Sequence, residues 1–297
     1  MGGKLTGVVG RQSGYRGRLA PTPSGMLHAG HARTFREAWV RAHSEKGTLV
    51  LRMEDIDRER CRPEYEEAVL EDLAWMGIRW DEGGFRGGEY GPYRQSDRLK
   101  EHERVFRSLI KSGFVYPSDA SRKEILAENP GREIDGGVFF PGNFRKSAAG
   151  YTPRTDVNWR FRVPDGRRVV FKDGERGTVS YVAGEDFGDF LIWRKSGSPS
   201  YELAVVADDI AMKITEVVRG EDLLLSTARQ ILIYEAVGAR VPRFCHVPLV
   251  CEESGARLSK TAKSVSIREL REKGWTPEEV FEWADHRAKL VEVPGES

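Results

Sequence analysis

The stretch 18–31 constrains the fold of this chain most strongly, and it reads Arg-Leu-Ala-Pro-Thr-Pro-Ser-Gly-Met-Leu-His-Ala-Gly-His. A short run, 15–20, predicts a strand, and the prolines and glycine of 21–25 predict a tight loop. A helical pattern then begins at His28, and the i, i+3 spacing puts His28 and His31 on one helical face. The first turn of a helix attracts anions through its N–H groups and dipole. Together these features indicate a phosphate-binding corner of an α/β sheet.

The histidine pair alone also fits two other interpretations. Histidines at this spacing are often ordinary surface or core residues, and histidine is a common metal ligand. Zinc sites use three or four protein ligands, and no third His or Cys lies near this pair in the sequence. A second distinctive stretch far along the chain, Arg-Leu-Ser-Lys-Thr at 257–261, favours a functional role for the pair.

The next elements extend the first strand into a βαβ unit. Residues 28–46 predict a helix, Gly47 suits its C-terminal end, and the apolar run 48–53 predicts a buried parallel strand. The crossover of such a unit is right-handed. Carboxylates follow this strand directly, at the sheet edge where open α/β sheets bind ligands.

Those carboxylates are Glu54, Asp55 and Asp57. Their chemistry alone leaves several roles open: metal binding, acid–base catalysis, or binding of a substrate ammonium group. A fourth role is structural, since Asp57 is placed to cap a helix that begins near Pro63.

Composition narrows the class of protein. The 297 residues are 39% hydrophobic and 31% charged, which is typical of a folded globular chain. The net charge of +1 gives no general attraction to nucleic acid, although residues 1–52 and 143–176 are locally basic. No apolar run is long enough for a membrane helix, and three dispersed cysteines argue against a disulfide framework. We expect a cytoplasmic monomer that does not bind membranes.

Five separated motifs in the expected order resemble the glutamyl-tRNA synthetase group of class I aminoacyl-tRNA synthetases. His28-Ala29-Gly30-His31 is similar to the first class I signature, and 257–261 to the second, a mobile Lys-Met-Ser-Lys-Ser loop. The segments that match are 18–31, 52–57, 93–96, 201–209 and 218–222, and the resemblance extends over roughly residues 15–265.

The resemblance implies a glutamate pocket and an ATP site. Glu54 is implied to hold the amino group of glutamate, and the catalytic residues are implied to be His28, His31 and Lys260. A dicarboxylic substrate needs cationic or donor groups for its carboxylates and one anion for its amine, and the arginine fork suits a carboxylate. Tyr201 also fits simple core packing, and Lys260 a solvated loop lysine. The implied glutamate-binding residues are Arg18, Ala20, Thr22, Glu54, Tyr201 and Arg219. The implied ATP-binding residues are His28, His31, Arg257, Ser259 and Lys260.

The implied fold is α/β: a Rossmann-like class I nucleotide-binding domain with an inserted α+β acceptor-type subdomain and a short helical C-terminal tail. No anticodon-binding domain is expected. The expected division is a flexible N-terminal tail, the first half of the catalytic domain, the insertion, the second half, and the Lys-containing loop with its tail. These units span 1–14, 15–114, 115–188, 189–255 and 256–297.

The sequence departs from the family in its insertion. Many relatives bind zinc there through a Cys-x-Cys pair, a tyrosine and a third cysteine, and the matching positions here are Ser118, Ala120, Phe140 and Phe144. None of these is a good zinc ligand, so we predict no zinc. Phe140 and Phe144 are expected to pack together. Mg²⁺ is expected with ATP, bound by the phosphates.

Only residues 262–297 follow the second signature, and this brevity resembles the glutamyl-Q group of short paralogues. Those enzymes attach activated glutamate to the queuosine base of the aspartate tRNA, so the expected partners are glutamate, ATP and tRNA(Asp) carrying queuosine. One rival is a truncated ligase with another acceptor. A second is a catalytically silent RNA-binding paralogue, which would not need the whole set Arg18, His28, His31, Glu54 and Lys260.

Overall fold

The computed structural model describes residues 14–128, 133–134, 137–140, 142–145, 156–250 and 265–289. The strands are β1 Arg16–Leu19, β2 Thr48–Leu51, β3 Glu82–Gly83, β4 Val115–Ser118, β5 Glu133–Ile134, β6 Gly137–Val138, β7 Asn158–Phe161, β8 Arg168–Asp173, β9 Gly177–Val182, β10 Phe190–Trp193, β11 Glu216–Gly220 and β12 Arg243–Val247. The helices are α1 Ala29–Ser44, α2 Pro63–Trp75, α3 Leu99–Lys111, α4 Arg122–Glu128, α5 Tyr201–Ala211, α6 Leu224–Ala236, α7 Ile267–Glu272 and α8 Pro277–Lys289.

Parallel strands form the centre of the molecule. β1 pairs with β2, β2 with β3, and β11 with β12, all in parallel. The two sets adjoin where the Thr215 backbone N–H donates to the Arg16 carbonyl at 2.8 Å. The chain therefore proceeds outward from β1 through β2 on one side and from β11 through β12 on the other. This reversal creates a crevice at the carboxyl ends of β1 and β11, where α/β folds bind ligands.

The predicted strand–loop–helix–strand unit is confirmed, with one correction at the end of α1. Lys46, rather than Gly47, adopts the left-handed conformation after the helix, with φ of 49°. Gly47 is required for a different reason, because a Cβ there would lie 2.5 Å from the Tyr15 carbonyl oxygen. The glycine thus permits close approach of β1 to the start of β2.

The suggested capping role of Asp57 is wrong. The residue preceding α2 is Arg62, which makes no side-chain cap, and Pro63 occupies the first turn, where its missing N–H costs nothing. The Asp57 carboxylate instead accepts a hydrogen bond from Arg60 at 2.6 Å, on the protein surface.

The described strands in and beside the predicted insertion form three sets, of which the smallest is the antiparallel pair β5 and β6. β10, at Phe190–Trp193, lies just beyond the predicted limit of residue 188. β4, β7 and β10 form an antiparallel sheet. β8 and β9 form an antiparallel hairpin, and β8 also pairs with β12 through Asp173 and Phe244. The hairpin therefore extends the sheet that carries β11 and β12. The proposed domain limits of 115–188 remain a prediction.

Phe140 and Phe144 pack together as expected, with ring centroids 5.5 Å apart. Phe140 is buried beside Tyr116 and Ile125, and the Arg160 guanidinium lies 3.8 Å from the centre of its ring. Ser118 and Ala120 occupy the other two positions. These four side chains form an aromatic and apolar corner and include none of the Cys, His, Asp or Glu ligands that bind zinc. The absence of zinc stays a prediction.

The C-terminal helices α7 and α8 are present as predicted and pack against the catalytic fold. The Ile267 N–H donates to the Leu27 carbonyl at 2.8 Å, and Asp285 on α8 bonds Arg33 and Arg36 of α1. Ser266 and Ile267, at the start of α7, therefore lie beside the beginning of α1. Among the described helices, none is both long enough and apolar enough to cross a membrane.

Candidate active site

A cavity of about 360 Å³ opens at the crevice between β1 and β11. Its lining includes every predicted site residue that the structure describes: Arg18, Ala20, Thr22, His28, His31, Glu54, Tyr201 and Arg219. Arg257, Ser259 and Lys260 lie outside the described residues. The strand ends, the loop after β1 and the first turns of α1 and α5 thus bring together side chains that are up to 201 positions apart in the sequence.

Behind one wall of the cavity lies a set of four buried charged residues, Arg18, Arg52, Glu54 and Asp209, here called the buried charge network. Arg52 is fully buried and donates to Asp209 at 2.6 Å and to Glu54 at 2.9 Å. Arg18 donates to the Val218 carbonyl at 2.9 Å, and its Nε lies 3.8 Å from Asp209. Each charge therefore faces an opposite charge, which buried ions require.

Within the buried charge network, burial and the neighbouring charges have opposing effects on the pKa values. Burial raises the pKa of Glu54, and the neighbouring Arg52 and Arg18 oppose that rise. Burial lowers the pKa of Arg18, although Asp209 opposes that change. Burial alone would lower the pKa of Arg52, but its pKa is raised because Asp209 and Glu54 stabilise the cation. Arg52 thus supports the carboxylate form of Glu54 from behind.

Arg219 occupies the opposite strand, β11, and is also buried. Its Nη1 lies 3.5 Å from the hydroxyl of Tyr201, the first residue of α5. Burial raises the pKa of Tyr201 to about 12, so its hydroxyl keeps its proton and remains a donor at neutral pH. The cavity therefore combines Arg18 and Arg219, a tyrosine hydroxyl and the carboxylates of Glu54 and Asp222.

His28 and His31, here called the histidine pair, form a cap at the beginning of α1. His28 is the N-cap residue rather than a helical one, and its Nδ1 accepts from the Gly30 N–H at 3.2 Å. The His31 Nδ1 accepts from the His28 N–H at 3.2 Å, and the ring centroids are 3.9 Å apart. Because both Nδ1 atoms accept, the proton of each neutral ring resides on Nε2, a donor suited to a phosphate oxygen.

Residues of the segments 52–57 and 93–96 stabilise the site through hydrogen bonds outside the cavity lining. Asp55 accepts from the Ser96 N–H at 2.8 Å and from its hydroxyl at 2.7 Å, which fixes the turn after β2. Gln95 donates to Asp208 at 2.8 Å. Asp55 is therefore used internally, and Glu54 is the carboxylate of this run that borders the cavity.

Sequence reasoning missed the roles of Arg52 and Asp209, and it missed His246 and Thr227, which contact Arg219, and Asp173, which contacts His246. A signal was present: Arg52 directly follows the apolar run Thr48–Leu51, and His246 lies within β12. A charged or polar residue in a buried strand needs a specific partner. The sequence does not say which residue that partner is.

Among the described residues, one group of metal-ligand type is compact enough to consider. Glu37, Glu175 and Cys245 have ligand atoms within 4.8 Å of one another. Arg41 bonds Glu37 at 2.6 Å and lies 3.6 Å from Glu175, so a guanidinium already balances the carboxylates. These residues lie outside the cavity lining and are not assigned a metal here.

Residues 15–289 match the family model for the catalytic domain of class I tRNA synthetases (E and Q). The chain belongs to this family. It is 43% identical over 272 residues to a glutamyl-Q tRNA(Asp) synthetase of Nitratidesulfovibrio vulgaris, which covers 87% of this chain and 82% of the relative. It is 42% identical over 277 residues to a glutamate–tRNA ligase of Sulfurihydrogenibium sp., which covers 90% of this chain and 57% of the relative.

A solved structure supports the fold. The crystal structure of the glutamate–tRNA synthetase from Elizabethkingia anophelis superposes with a TM-score of 0.74 at 32% identity, covering 89% of this chain and 54% of that one. The Rossmann-like class I fold expected from the motifs is therefore confirmed. The chain spans just over half the length of the glutamate–tRNA ligases that it matches.

Proposed function

We propose that this protein activates L-glutamate with ATP and transfers the glutamyl group to the queuosine base of tRNA(Asp). The observation that carries the proposal is that two arginines, the Glu54 carboxylate and a capped histidine pair line one and the same cavity. A substrate with two carboxylates and one amine has charges complementary to this wall. The histidine pair is suited to the phosphates of ATP.

The buried charge network and Arg219 supply the glutamate subsite. Glu54, held as a carboxylate by Arg52, receives the ammonium group. Arg219 and Arg18 approach from two neighbouring strands and receive the carboxylates, with Tyr201 beside Arg219. The hydrogen bonds of a charged pair in such a buried site are strong, and leaving one partner unpaired is costly. This makes the subsite selective for an acidic amino acid.

The ATP subsite is formed by the first turn of α1. The Nε2–H groups of the histidine pair and the positive end of the helix dipole both favour phosphate oxygens. Lys260 belongs to the same subsite in this proposal. It precedes Ser266 by six residues in the sequence. Ser266 itself pairs with His28.

The first reaction is adenylation. A carboxylate oxygen of glutamate attacks the α-phosphorus of ATP in line, the bond to the bridging oxygen breaks, and pyrophosphate leaves. Positioning and charge stabilisation provide most of the catalysis in such transfers. His28, His31 and Lys260 stabilise the charge that develops on the phosphates, with Arg257 and Ser259 in supporting roles, and Mg²⁺ binds the phosphate oxygens. A hydroxyl of the RNA then attacks the activated carbonyl carbon and displaces AMP.

The acceptor is the part of the proposal that rests on relatives. Two glutamyl-Q tRNA(Asp) synthetases match this chain at 43% and 41% identity over 82% and 88% of their own lengths. Glutamate–tRNA ligases match with similar identity over little more than half of theirs. The cavity described above accounts for glutamate and ATP and does not specify the acceptor, so the alternative is transfer to the 3′ end of a tRNA.

Transfer of labelled glutamate to total tRNA, separated by species, tests the proposal. The tRNA is taken from cells with and without queuosine. The proposal predicts label on the aspartate tRNA only, and none without queuosine. Label on glutamate tRNA regardless of queuosine would contradict the acceptor and support the 3′-end alternative. No label together with no glutamate-dependent ATP–pyrophosphate exchange would contradict the activity itself.

A further inference from the structure

Arg219 is held by a set of side chains on its interior side. Its Nε donates to the His246 Nε2 at 3.2 Å, and its Nη2 donates to the Thr227 hydroxyl at 2.6 Å and to the Leu223 carbonyl at 3.4 Å. The guanidinium also lies over the Phe244 ring, with its carbon 5.6 Å from the ring centre. These contacts occupy one edge of the guanidinium and leave Nη1 on the side of Tyr201 and the cavity.

The identity of the His246 tautomer follows from its other partner. The Nδ1 lies 2.6 Å from Asp173 Oδ2, and the His246 backbone N–H donates to Asp173 Oδ1 at 3.1 Å. A carboxylate only accepts, so Nδ1 carries the proton and Nε2 presents its lone pair to Arg219 and to the Thr227 hydroxyl, which lies 2.8 Å away. Burial and the nearby Arg219 lower the pKa of His246 to about 4, which keeps the ring neutral at neutral pH.

As the partner of Arg219, a neutral imidazole has an advantage over a carboxylate. A carboxylate in direct contact with Arg219 would orient the guanidinium but would also neutralise it, and would compete with an anionic substrate. The imidazole orients Arg219 while the negative charge of Asp173 stays one ring further away. Arg52 shows the opposite arrangement, because Asp209 and Glu54 contact it directly.

We propose that Asp173 and His246 are positioning residues that hold Arg219 as a carboxylate clamp without neutralising it. The inference rests on the proposed function, since the carboxylate is that of glutamate. Asp173 lies on β8, His246 on β12 and Arg219 on β11. The pairing of these three strands places the side chains in a row, here called the relay.

Two substitutions at one position separate positioning from folding. Glutamine places an amide oxygen near the position of Nε2, where it accepts from Arg219. Asparagine reaches only the position of Nδ1, where it bonds Asp173. We expect His246→Asn to raise the KM for glutamate on the order of tenfold in ATP–pyrophosphate exchange, with the KM for ATP little changed, as for other partners that orient a ligand-binding group. His246→Gln should stay within about threefold of the wild type.

A second buried histidine–aspartate pair provides the matched control. His102 Nε2 lies 2.9 Å from Asp208 Oδ1, and both residues lie outside the cavity lining. His102→Asn should lower the melting temperature and leave the KM for glutamate unchanged. Equal KM values for His246→Asn and His246→Gln, or equal increases for glutamate and ATP, would overturn the relay. A wild-type protein without glutamate-dependent exchange would instead contradict the proposed function, and with it the ligand assigned to Arg219.

Discussion

The buried charge network, which borders the cavity through Arg18 and Glu54, and the histidine pair serve the same cavity but are held in different ways. Arg52 is fully buried, and its contacts with Glu54 and Asp209 join β2 to α5 across the core. His28 and His31 are only partly buried and are oriented by the backbone at the beginning of one helix. The substrate charge is thus met by groups that the core preorganises, whereas the phosphates are met by groups that local helix geometry supplies. The comparison predicts that substitutions in the buried charge network weaken both glutamate binding and folding. Substitutions at the histidine pair should mainly lower the rate of glutamate activation.

The largest effect is expected on the phosphate side. Lys260→Ala should reduce the rate of glutamate-dependent ATP–pyrophosphate exchange by about 10² to 10³, because a charge that stabilises the transition state is lost. The melting temperature should not change. Lys263→Ala, in the same segment, is the control and should keep most of the rate. An unchanged rate in Lys260→Ala would remove this residue from the mechanism.

A large effect on binding is expected at Arg219. Arg219→Ala should raise the KM for glutamate by about 10² or more, because a buried carboxylate is left without its cation, while the KM for ATP changes little. Exchange kinetics with each substrate varied in turn measure both. Arg243→Ala, on the neighbouring strand and 60% exposed at its side chain, is the control. Equal weakening of both substrates would indicate that Arg219 supports the fold instead.

Stability should separate the two groups. Arg52→Met removes the cation between two buried carboxylates and should lower the free energy of unfolding by about 3–5 kcal/mol. His28→Ala removes a helix cap and should lower it by about 1 kcal/mol. Urea denaturation of the two variants measures the difference. Similar losses would contradict the distinction between a core-built network and a locally built pair.

A further difference concerns the dependence of stability on pH. The His246 pKa falls from 6.5 to about 4 through burial and the neighbouring Arg219, against the opposing contact with Asp173; Arg18 also lowers it. The unfolded state therefore binds more protons between these values, and the stability contributed by neutral His246 is lost as pH falls from 6.5 toward 4. The slope is at most about 1.4 kcal/mol per pH unit. Wild type and His246→Gln, denatured at several pH values, should differ in slope in this window; equal slopes would contradict a neutral buried imidazole.

The buried carboxyl group of Asp72 contributes a pH dependence of stability with the opposite sign, which provides a check on the measurement for His246. Asp72 is fully buried, neither of its oxygens has a hydrogen-bond partner among the described residues, and burial raises its pKa from 3.8 to about 6. The native state here binds more protons, so its contribution makes stability fall as pH rises from 3.8 to 6. Asp72→Asn should remove this slope, and should not alter the slope assigned to His246.

The extent to which the sequence predicts the site follows the same division. The strand–loop–helix unit and the histidine pair are encoded within residues 16–44, so local patterns were sufficient to predict them. Arg18, Glu54, Tyr201 and Arg219 were identified through motifs of a known family. The partners that orient them were not, because Arg52 and Asp209 are 157 positions apart, and Asp173 and His246 are 73 apart. Such residues come together only when distant elements pair in the fold. The periodicity of hydrophobic residues in the sequence does not predict that pairing.

A crystal structure of the protein with a sulfamate analogue of glutamyl-adenylate would test the central claim most directly, namely that one cavity binds both substrates in a fixed direction. The account predicts the glutamyl amino group at Glu54, a carboxylate at Nη1 of Arg219, and the sulfamate within hydrogen-bond distance of the Nε2 atoms of His28 and His31. An analogue bound in the reverse direction, with its side-chain carboxylate at the histidine pair, or bound outside this cavity would contradict it.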